Sequence, residues 1–387
     1  MQRANLSRQI QIVVGMAALL VIPLTLRSDS GPGHRIDQPF PISLGTSGGN
    51  IKNSSKAFCC GGTLGALVQA AGAQYILSNN HVLARTNLAA LGESIIQPGL
   101  IDQMPVCATD ANDAVADLSA FVPIQFKRKG AVPTNAVDAA IAQVRPGAVA
   151  SDGSILDIGV ISSETVAPIL GMAVKKSGRT TGFTTGIVAA VNVTVDVTYS
   201  KTCGSGSQTA RFVNQISVTP GTFIAGGDSG SLMVEDVTTA PRAVGLLFAG
   251  SDARALANPI NAVLAAFDPD VSLVGSAPAA SLLGRMFARV KKIWRVSEIQ
   301  AASVQLPGQA DPAAVDAVTR VKERHEGRLL GVPGVVGVGV GLSDRIGGQP
   351  VIEIYVKQAT DSLRQSLPSS LEGVPVNIVE TGEFFAH

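Results

Sequence analysis

Up to about residue 270, the chain consists of short apolar runs separated by glycine-rich or polar turns. In residues 186–195, for example, a glycine is followed by a run of Ile, Val, Ala, Asn and Thr. Short runs rich in β-branched residues and bounded by turn residues are typical of strands. No repeat with a period of about 20 to 50 residues is present. The pattern predicts a mainly β domain over residues 36–270.

The pattern changes after residue 270. Pro, Gly and Ser mark a linker near residues 268–278, and apolar positions then recur at helical spacing over residues 283–294 beside several Arg and Lys residues. We therefore predict a linker with a basic amphipathic helix over residues 271–310. Such a helix either binds a membrane surface or a partner, or packs on the chain's own domains with its basic face in solvent.

The last segment, residues 311–387, mixes helical and strand patterns. The patterns predict a helix over 312–326, strands near 335–340 and 351–356, a short helix near 361–367 and a strand near 374–379. Gly337, Gly339 and Gly341 alternate with valines and precede no helix, so we interpret them as a tightly packed strand rather than a nucleotide-binding loop. We expect a small α+β domain, with a ferredoxin-like unit as the candidate arrangement. Its role, whether substrate delivery, autoinhibition or docking, stays open.

The N-terminus has the layout of a targeting segment. Arg3 and Arg8 precede an apolar run over residues 10–26. This layout predicts a signal peptide or an N-terminal membrane anchor over residues 1–30, and hence export from the cytoplasm. A buried helix of a cytosolic protein is the alternative. The net charge of +1 gives no reason to expect a nucleic-acid partner.

The cysteines fit export. An even number of cysteines, four, in an exported chain suggests disulfide bridges. Cys59 and Cys60 are adjacent and are not expected to pair with each other, and their connectivity to Cys107 and Cys203 stays open. No metal site is predicted, because the cysteines lack paired ligand spacing and no histidine lies near them in the sequence.

The stretch Gly-Gly-Asp-Ser-Gly-Ser at residues 226–231 makes Ser229 a candidate nucleophile. Glycines there allow backbone N–H groups to converge beside the hydroxyl, as stabilisation of an oxyanion requires. A serine hydroxyl needs an adjacent base, and imidazole is suited to that role. Of the four histidines, only His81 lies in a patterned segment, at the end of an apolar strand.

A third residue has to orient the imidazole. Asp138 opens a short apolar strand, so its carboxylate is expected to be buried and to need a hydrogen-bond donor. Asp117 is the alternative, and as a solvated residue at a strand edge it is the weaker one.

The order His81, Asp138, Ser229, together with Ser-Gly-Arg-Thr-Thr-Gly at residues 177–182, resembles the trypsin/chymotrypsin-fold serine proteases, particularly their bacterial alpha-lytic-type branch. Subtilisins and α/β-hydrolases have other orders. The resemblance covers residues 36–270. It implies a double six-stranded antiparallel β-barrel and a mechanism without a cofactor.

The resemblance also implies a role for each matched residue. Ser229 is the nucleophile, His81 the base and Asp138 the residue that holds the base, while the backbone N–H groups of Gly227 and Ser229 form the oxyanion hole. Arg179 of the second motif is expected to pair with Asp228. A counter-charge is needed there, because an unpaired buried carboxylate would oppose the developing oxyanion.

The primary specificity pocket is less clearly indicated. By the resemblance, Phe223 lies at its base, and Phe248, Ala249 and Gly250 form one wall. An acidic residue at the base would select Lys or Arg, and none is present. We therefore expect a preference for small or apolar residues.

These features predict a serine endopeptidase that acts on protein or peptide substrates outside the cytoplasm, with membrane association through the N-terminal segment left open. The alternative is a catalytically inactive protease fold that serves as a binding or scaffold module. An α/β-hydrolase esterase is disfavoured, because position 231 is Ser where the Gly-x-Ser-x-Gly motif has Gly.

Overall fold

The structure, a computed structural model, describes residues 32–267, 271–277, 310–343 and 348–386. The signal peptide or anchor predicted over residues 1–30 and the basic helix predicted within residues 271–310 lie outside these ranges. Within them, no helix combines the length and the apolar character that crossing a membrane requires.

Most of the described chain is strand. The strands are β1 (Thr46–Asn50), β2 (Gly62–Leu64), β3 (Ala66–Ala70), β4 (Ala73–Ser78), β5 (Ser94–Ile96), β6 (Ala114–Phe121), β7 (Thr134–Asn135), β8 (Ala140–Val144), β9 (Ala173–Gly178), β10 (Gly182–Thr202), β11 (Ser205–Thr219), β12 (Leu232–Glu235), β13 (Ala243–Gly250), β14 (Ala255–Pro259), β15 (Ser272–Leu273), β16 (Val335–Leu342), β17 (Pro350–Val356), β18 (Ser370–Leu371), β19 (Val374–Glu380) and β20 (Phe384–Ala386). The helices are α1 (Asn80–Leu83), α2 (Ile260–Ala265), α3 (Pro312–Leu329) and α4 (Asp361–Ser366).

The strands form two sheets. The first has the order β15-β3-β4-β8-β6-β5-β1-β2, and the second has the order β18-β19-β17-β16-β10-β9-β12-β13-β14-β11-β7. Most neighbouring strands pair antiparallel, as β3 does with β4 and β13 with β14, whereas β17 pairs parallel with β19 and β11 pairs parallel with β7. The prediction of a mainly β fold is confirmed.

The apolar cores join parts of the chain that the sequence suggested were separate. The first core packs Leu77 of β4 with Leu246 of β13, and so joins the two sheets. A second core contains Val218 of β11 together with Val338 of β16 and Ile354 of β17. The C-terminal segment therefore shares both a sheet and a core with the β domain before it.

The C-terminal α+β elements appear in the predicted order. The helix α3 begins where Asp311 accepts a hydrogen bond from the N–H of Ala313 at 3.1 Å and Pro312 opens the first turn. The ferredoxin-like arrangement is wrong, however. A ferredoxin-like unit has four strands and a split βαβ connection, whereas β17 and β19 here are adjacent parallel strands, and β10 takes the position beside β16.

Glycines allow this close approach of β16 to its neighbours. A Cβ at Gly339 would lie 2.9 Å from Val193 of β10, and a Cβ at Gly337 would lie 2.9 Å from the ring of Tyr355. The interpretation of the glycine–valine alternation as a tightly packed strand is confirmed.

Two disulfide bridges link Cys59 to Cys107 and Cys60 to Cys203. Cys60 lies just before β2 in the first sheet, and Cys203 lies in the turn between β10 and β11 in the second. The second bridge therefore ties the two sheets together. Both bridges fit an extracellular protein.

Candidate active site

His81 and Asp138 meet because their strands are neighbours. β4 pairs with β8, with Ser78 opposite Ala140. His81 follows Ser78 at the end of β4, and Asp138 precedes Ala140 at the start of β8. The Nδ1 atom of His81 lies 2.6 Å from Oδ2 of Asp138, and the backbone N–H of His81 donates to Oδ1 at 3.3 Å. Asp138 is fully buried. A buried carboxylate in this position holds the imidazole in one orientation.

The alternative acid lies elsewhere. The carboxylate of Asp117 is partly exposed and accepts two hydrogen bonds from the guanidinium of Arg145, at 3.0 Å and 2.7 Å. This ion pair joins β6 to the segment after β8, so of the two carboxylates it is that of Asp138 that contacts His81.

Tyr199 is a site residue that the sequence reasoning missed. Its hydroxyl donates to Oδ2 of Asp138 at 2.8 Å, and its ring lies edge-on to His81 with 5.7 Å between centroids. Burial raises the pKa of the Tyr199 phenol well above its usual value, and the charge of Asp138 adds to the shift, so the phenol remains a donor. A signal was present: Val195, Val197 and Tyr199 alternate on the buried face of β10, and a buried tyrosine hydroxyl usually needs a partner.

Ser229 is held by close contact between the sheets. Its carbonyl oxygen accepts from the N–H of Thr63 at 2.8 Å, and a Cβ at Gly65 would lie 1.8 Å from the carbonyl oxygen of Gly230. The Ser229 hydroxyl is buried and donates to the carbonyl oxygen of Phe248 at 3.1 Å.

The turn before Ser229 is held by threonine hydroxyls. The carbonyl oxygen of Gly226 accepts from Oγ1 of Thr180 at 2.6 Å, and that of Gly227 accepts from Oγ1 of Thr63 at 3.0 Å. Gly227 has a φ of 97°, a conformation that favours glycine. Because the C=O and N–H of a peptide unit point in opposite directions, the bond to Thr180 turns the Gly227 N–H away from that residue.

A cleft of about 340 Å³ is lined by His81, Tyr199, Gly226 and Gly227. A second cavity, of about 370 Å³, lies between the β domain and the start of α3 and contains none of the predicted site residues. In the described ranges, no group of three or more His, Cys, Asp and Glu side chains could hold a metal ion.

The expected ion pair between Arg179 and Asp228 is not formed. Arg179 instead binds Asp102, with Nε 2.5 Å from Oδ2 and Nη2 2.7 Å from Oδ1. The charged partner of Asp228 is Lys176, whose Nζ lies 3.3 Å from Oδ2. Both side chains of this second pair are fully buried. Lys176, and not Arg179, is therefore the cation paired with the carboxylate of Asp228.

The local backbone explains this difference. Oδ1 of Asp228 already accepts the backbone N–H groups of Thr180 at 2.7 Å and Thr181 at 3.1 Å, the two residues that follow Arg179. Lys176 lies within β9 and is fully buried, with its ammonium group beside the Asp228 carboxylate. Burial lowers the pKa of Lys176, and the charge of Asp228 partly opposes this shift.

The predicted pocket residues do not meet around one open pocket. Phe223 is buried in the core shared with the C-terminal segment, against Gly186. Phe248 is buried in another apolar cluster, with its ring 4.8 Å from that of Phe212. Ala249 and Gly250, the other wall positions, pair with the C-terminal strand β20.

No protein-family model matches the chain, and no curated protein matches it. Solved structures do match it. A glutamic-acid-specific serine protease that uses a histidine triad in substrate binding is 22% identical, with a TM-score of 0.40, over 60% of this chain and 100% of the protease. Thermobifida fusca protease A is 16% identical, with a TM-score of 0.38, over 61% of this chain and 99% of its own. A Cellulomonas bogoriensis chymotrypsin is 17% identical, with a TM-score of 0.38, over 61% of this chain and 99% of its own.

The two sheets are mostly antiparallel, and the histidine, aspartate and serine lie along the chain in the order expected from the resemblance. A small C-terminal α+β domain extends the second sheet through β10.

Double-mutant cycles on stability test the reassigned ion pairs. We expect a coupling free energy of at least about 1 kcal/mol between Lys176→Met and Asp228→Asn, and likewise between Arg179→Met and Asp102→Asn, because losing one partner leaves a buried charge. The cross pair, Arg179→Met with Asp228→Asn, is the comparison and should couple less strongly than either assigned pair. Urea unfolding measures these values. Strong coupling only in the cross pair would contradict the assignment.

Proposed function

We propose that this protein is a serine endopeptidase that hydrolyses peptide bonds through an acyl-enzyme. The observation that carries the proposal is the 2.6 Å contact between His81 and Asp138, in a cleft bordered by the glycine turn before Ser229. A base held by a buried carboxylate, beside a serine with glycine-supplied amides, is the arrangement that peptide hydrolysis by serine requires.

In the proposed reaction, the Ser229 hydroxyl turns from the carbonyl of Phe248 toward His81 and attacks the scissile carbonyl carbon. His81 accepts the hydroxyl proton and returns it to the leaving amine, while Asp138 stabilises the imidazolium. The N–H groups of Gly227 and Ser229 donate to the oxyanion, each contributing about 3 kcal/mol to transition-state stabilisation. Water then attacks the acyl-enzyme with His81 as the base.

We also propose that the protein acts outside the cytoplasm, on extended peptides with a small or apolar residue before the scissile bond. The two disulfide bridges and the targeting layout of residues 1–30 support export. The absence of an acidic residue at position 223 and at positions 248–250 supports the specificity.

An inactive binding module is the second candidate. The observation in its favour is that the Ser229 hydroxyl is buried and donates to Phe248. The two candidates differ in whether Ser229 is an activated nucleophile.

A fluorophosphonate probe separates the two candidates, because it labels only activated serines. We expect wild-type protein to be labelled, and Ser229→Ala to lose both labelling and casein hydrolysis. His81→Ala should lose at least about a thousandfold in rate. Ser119→Ala, a serine of β6 outside the cleft, is the control and should behave as wild type. Wild-type protein that is never labelled and never cleaves peptide would favour the inactive module.

Tyr199→Phe tests the positioning role of the tyrosine hydroxyl. Without this donor the Asp138 carboxylate holds His81 less firmly, so we expect kcat to fall about tenfold while KM stays within twofold. Tyr75→Phe, in β4 and outside the cleft, is the matched control. Steady-state kinetics and a thermal unfolding midpoint are measured for both variants. A kcat equal to that of Tyr75→Phe would show that the Tyr199 hydroxyl has no part in positioning.

The specificity is tested with peptides that differ only in the residue before the scissile bond. We expect kcat/KM for Ala, Val or Leu there to exceed that for Arg, Lys or Glu at least tenfold, because positions 223 and 248–250 carry no charged side chain. Rapid cleavage after Arg, with the apolar peptides left intact, would contradict this specificity without contradicting the reaction type.

A further inference from the structure

The C-terminal strand β20 (Phe384–Ala386) lies between β10 and β13. It runs parallel to β10 and antiparallel to β13. The opposed residues are Val197 with Phe384, Thr198 with Phe385, Gly250 with Phe385 and Ala249 with Ala386. Extended peptides commonly bind proteins by adding a strand to an available sheet edge. At this end of β13, the edge is occupied by the chain itself.

This edge leads directly to the candidate nucleophile. From its first to its last residue, β20 advances along β13 from Gly250 toward Phe248, whose carbonyl oxygen accepts the Ser229 hydroxyl. Ala386 lines the same cleft as His81. β20 therefore has the direction and the position of a peptide that approaches the reacting groups from its N-terminal side.

The side chains of β20 differ in how deeply they are buried. Phe384 is 1% exposed, belongs to the apolar cluster of Phe248, and has its ring 6.0 Å from that of Tyr355. Phe385 is 42% exposed. Ala386 is small and borders the cleft. Phe384 is thus the apolar anchor of the strand, and Phe385 adds backbone pairing with little side-chain burial.

The strand is held close to the cleft by a short connection. Three residues, 381–383, join β19 to β20. The N–H of Thr381 donates to the carbonyl oxygen of Val356 at 3.0 Å, and Lys357 forms an ion pair with Glu383. A ligand tethered by so short a segment has an effective concentration on the order of millimolar. A free peptide has to compete with it.

We propose that Phe384–Ala386 is an intramolecular pseudosubstrate, which occupies the peptide-binding edge of β13 and keeps the protease in a low-activity state. This inference rests on the proposed function for its inhibitory consequence. It also names a substrate class: extended peptides with an aromatic residue followed two positions later by a small one, in the register of β20. Such a peptide displaces the strand and gains the same backbone pairing.

Phe384→Ala and Phe385→Ala form a matched pair of variants. Phe384→Ala removes the buried anchor, so we expect kcat/KM for a short peptide substrate to rise at least fivefold, through a lower KM, with kcat within twofold. Phe385→Ala removes an exposed ring and should change kcat/KM by less than twofold. Equal effects of the two variants, or no effect of Phe384→Ala, would overturn the proposal.

A binding experiment judges the inference independently of catalysis. The probe is a fluorescent peptide of residues 383–387, and its anisotropy is measured with Ser229→Ala protein, both full-length and truncated after Glu383. We expect at least tenfold tighter binding to the truncated form, and a D-amino-acid version of the peptide should not bind. If the truncated chain does not fold, as judged by circular dichroism, Phe384→Ala in the Ser229→Ala protein replaces it.

The outcomes separate the two proposals. Tighter binding to the truncated form, with no fluorophosphonate labelling of any Ser229-containing variant, would overturn the proposed protease activity but support β20 as the occupant of a peptide-binding edge. Labelling and hydrolysis with equal peptide binding to both forms would overturn the pseudosubstrate and leave the protease activity standing.

Discussion

The buried carboxylate of Asp138 is the constraint on which the site depends. It accepts hydrogen bonds from His81, which follows β4 of the first sheet, and from the hydroxyl of Tyr199 on β10 of the second. The backbone N–H of Asp138 donates to Oδ1 of Asn258, on β14. A carboxylate without water has to be satisfied by donors from the protein. Here the donors come from both sheets, so folding and the orientation of the imidazole are coupled.

A second buried carboxylate, Asp228, organises the turn that precedes Ser229. The backbone N–H groups of Thr180, Thr181 and Ala225 converge on it, and Lys176 supplies the opposite charge. Buried ion pairs of this kind contribute geometry more reliably than they contribute net stability. Their effect here is to hold the glycine turn in one conformation, with its amides directed by neighbouring threonines rather than by the Asp228 side chain.

The C-terminal α+β domain shares a sheet and a core with the β domain before it. Its strand β16 pairs with β10, its apolar face enters the core of the second sheet, and its last strand, β20, returns to the edge of β13. β10 therefore contacts the domain on one side and carries Tyr199 toward Asp138 on the other. This arrangement gives the domain direct access to the cleft.

Local patterns were enough to predict the strand-rich class and the order of the C-terminal elements. They also marked His81, Asp138 and Ser229 as candidate site residues, of which His81 and Asp138 are in contact. Periodicity and turn residues act over a few neighbours, and the three side chains are marked by their own short segments. The glycine–valine alternation of β16 likewise indicated a packed strand. Its glycines leave one face of the strand without side chains, and such a face is typical of a strand that another chain segment approaches closely.

Only the tertiary structure decided which groups meet. Several contacts join residues that are far apart in the chain or in different sheets. They are the ion pairs of Lys176 with Asp228 and of Arg179 with Asp102, the hydrogen bond from Tyr199 to Asp138, the two disulfide bridges and the pairing of β20 with β13. The partner of a buried charge or hydroxyl depends on the distances between groups and on which other donors are already present. Neither can be read from local spacing in the sequence. The sequence therefore indicated candidate residues, and the packing of the two sheets determined which groups they contact.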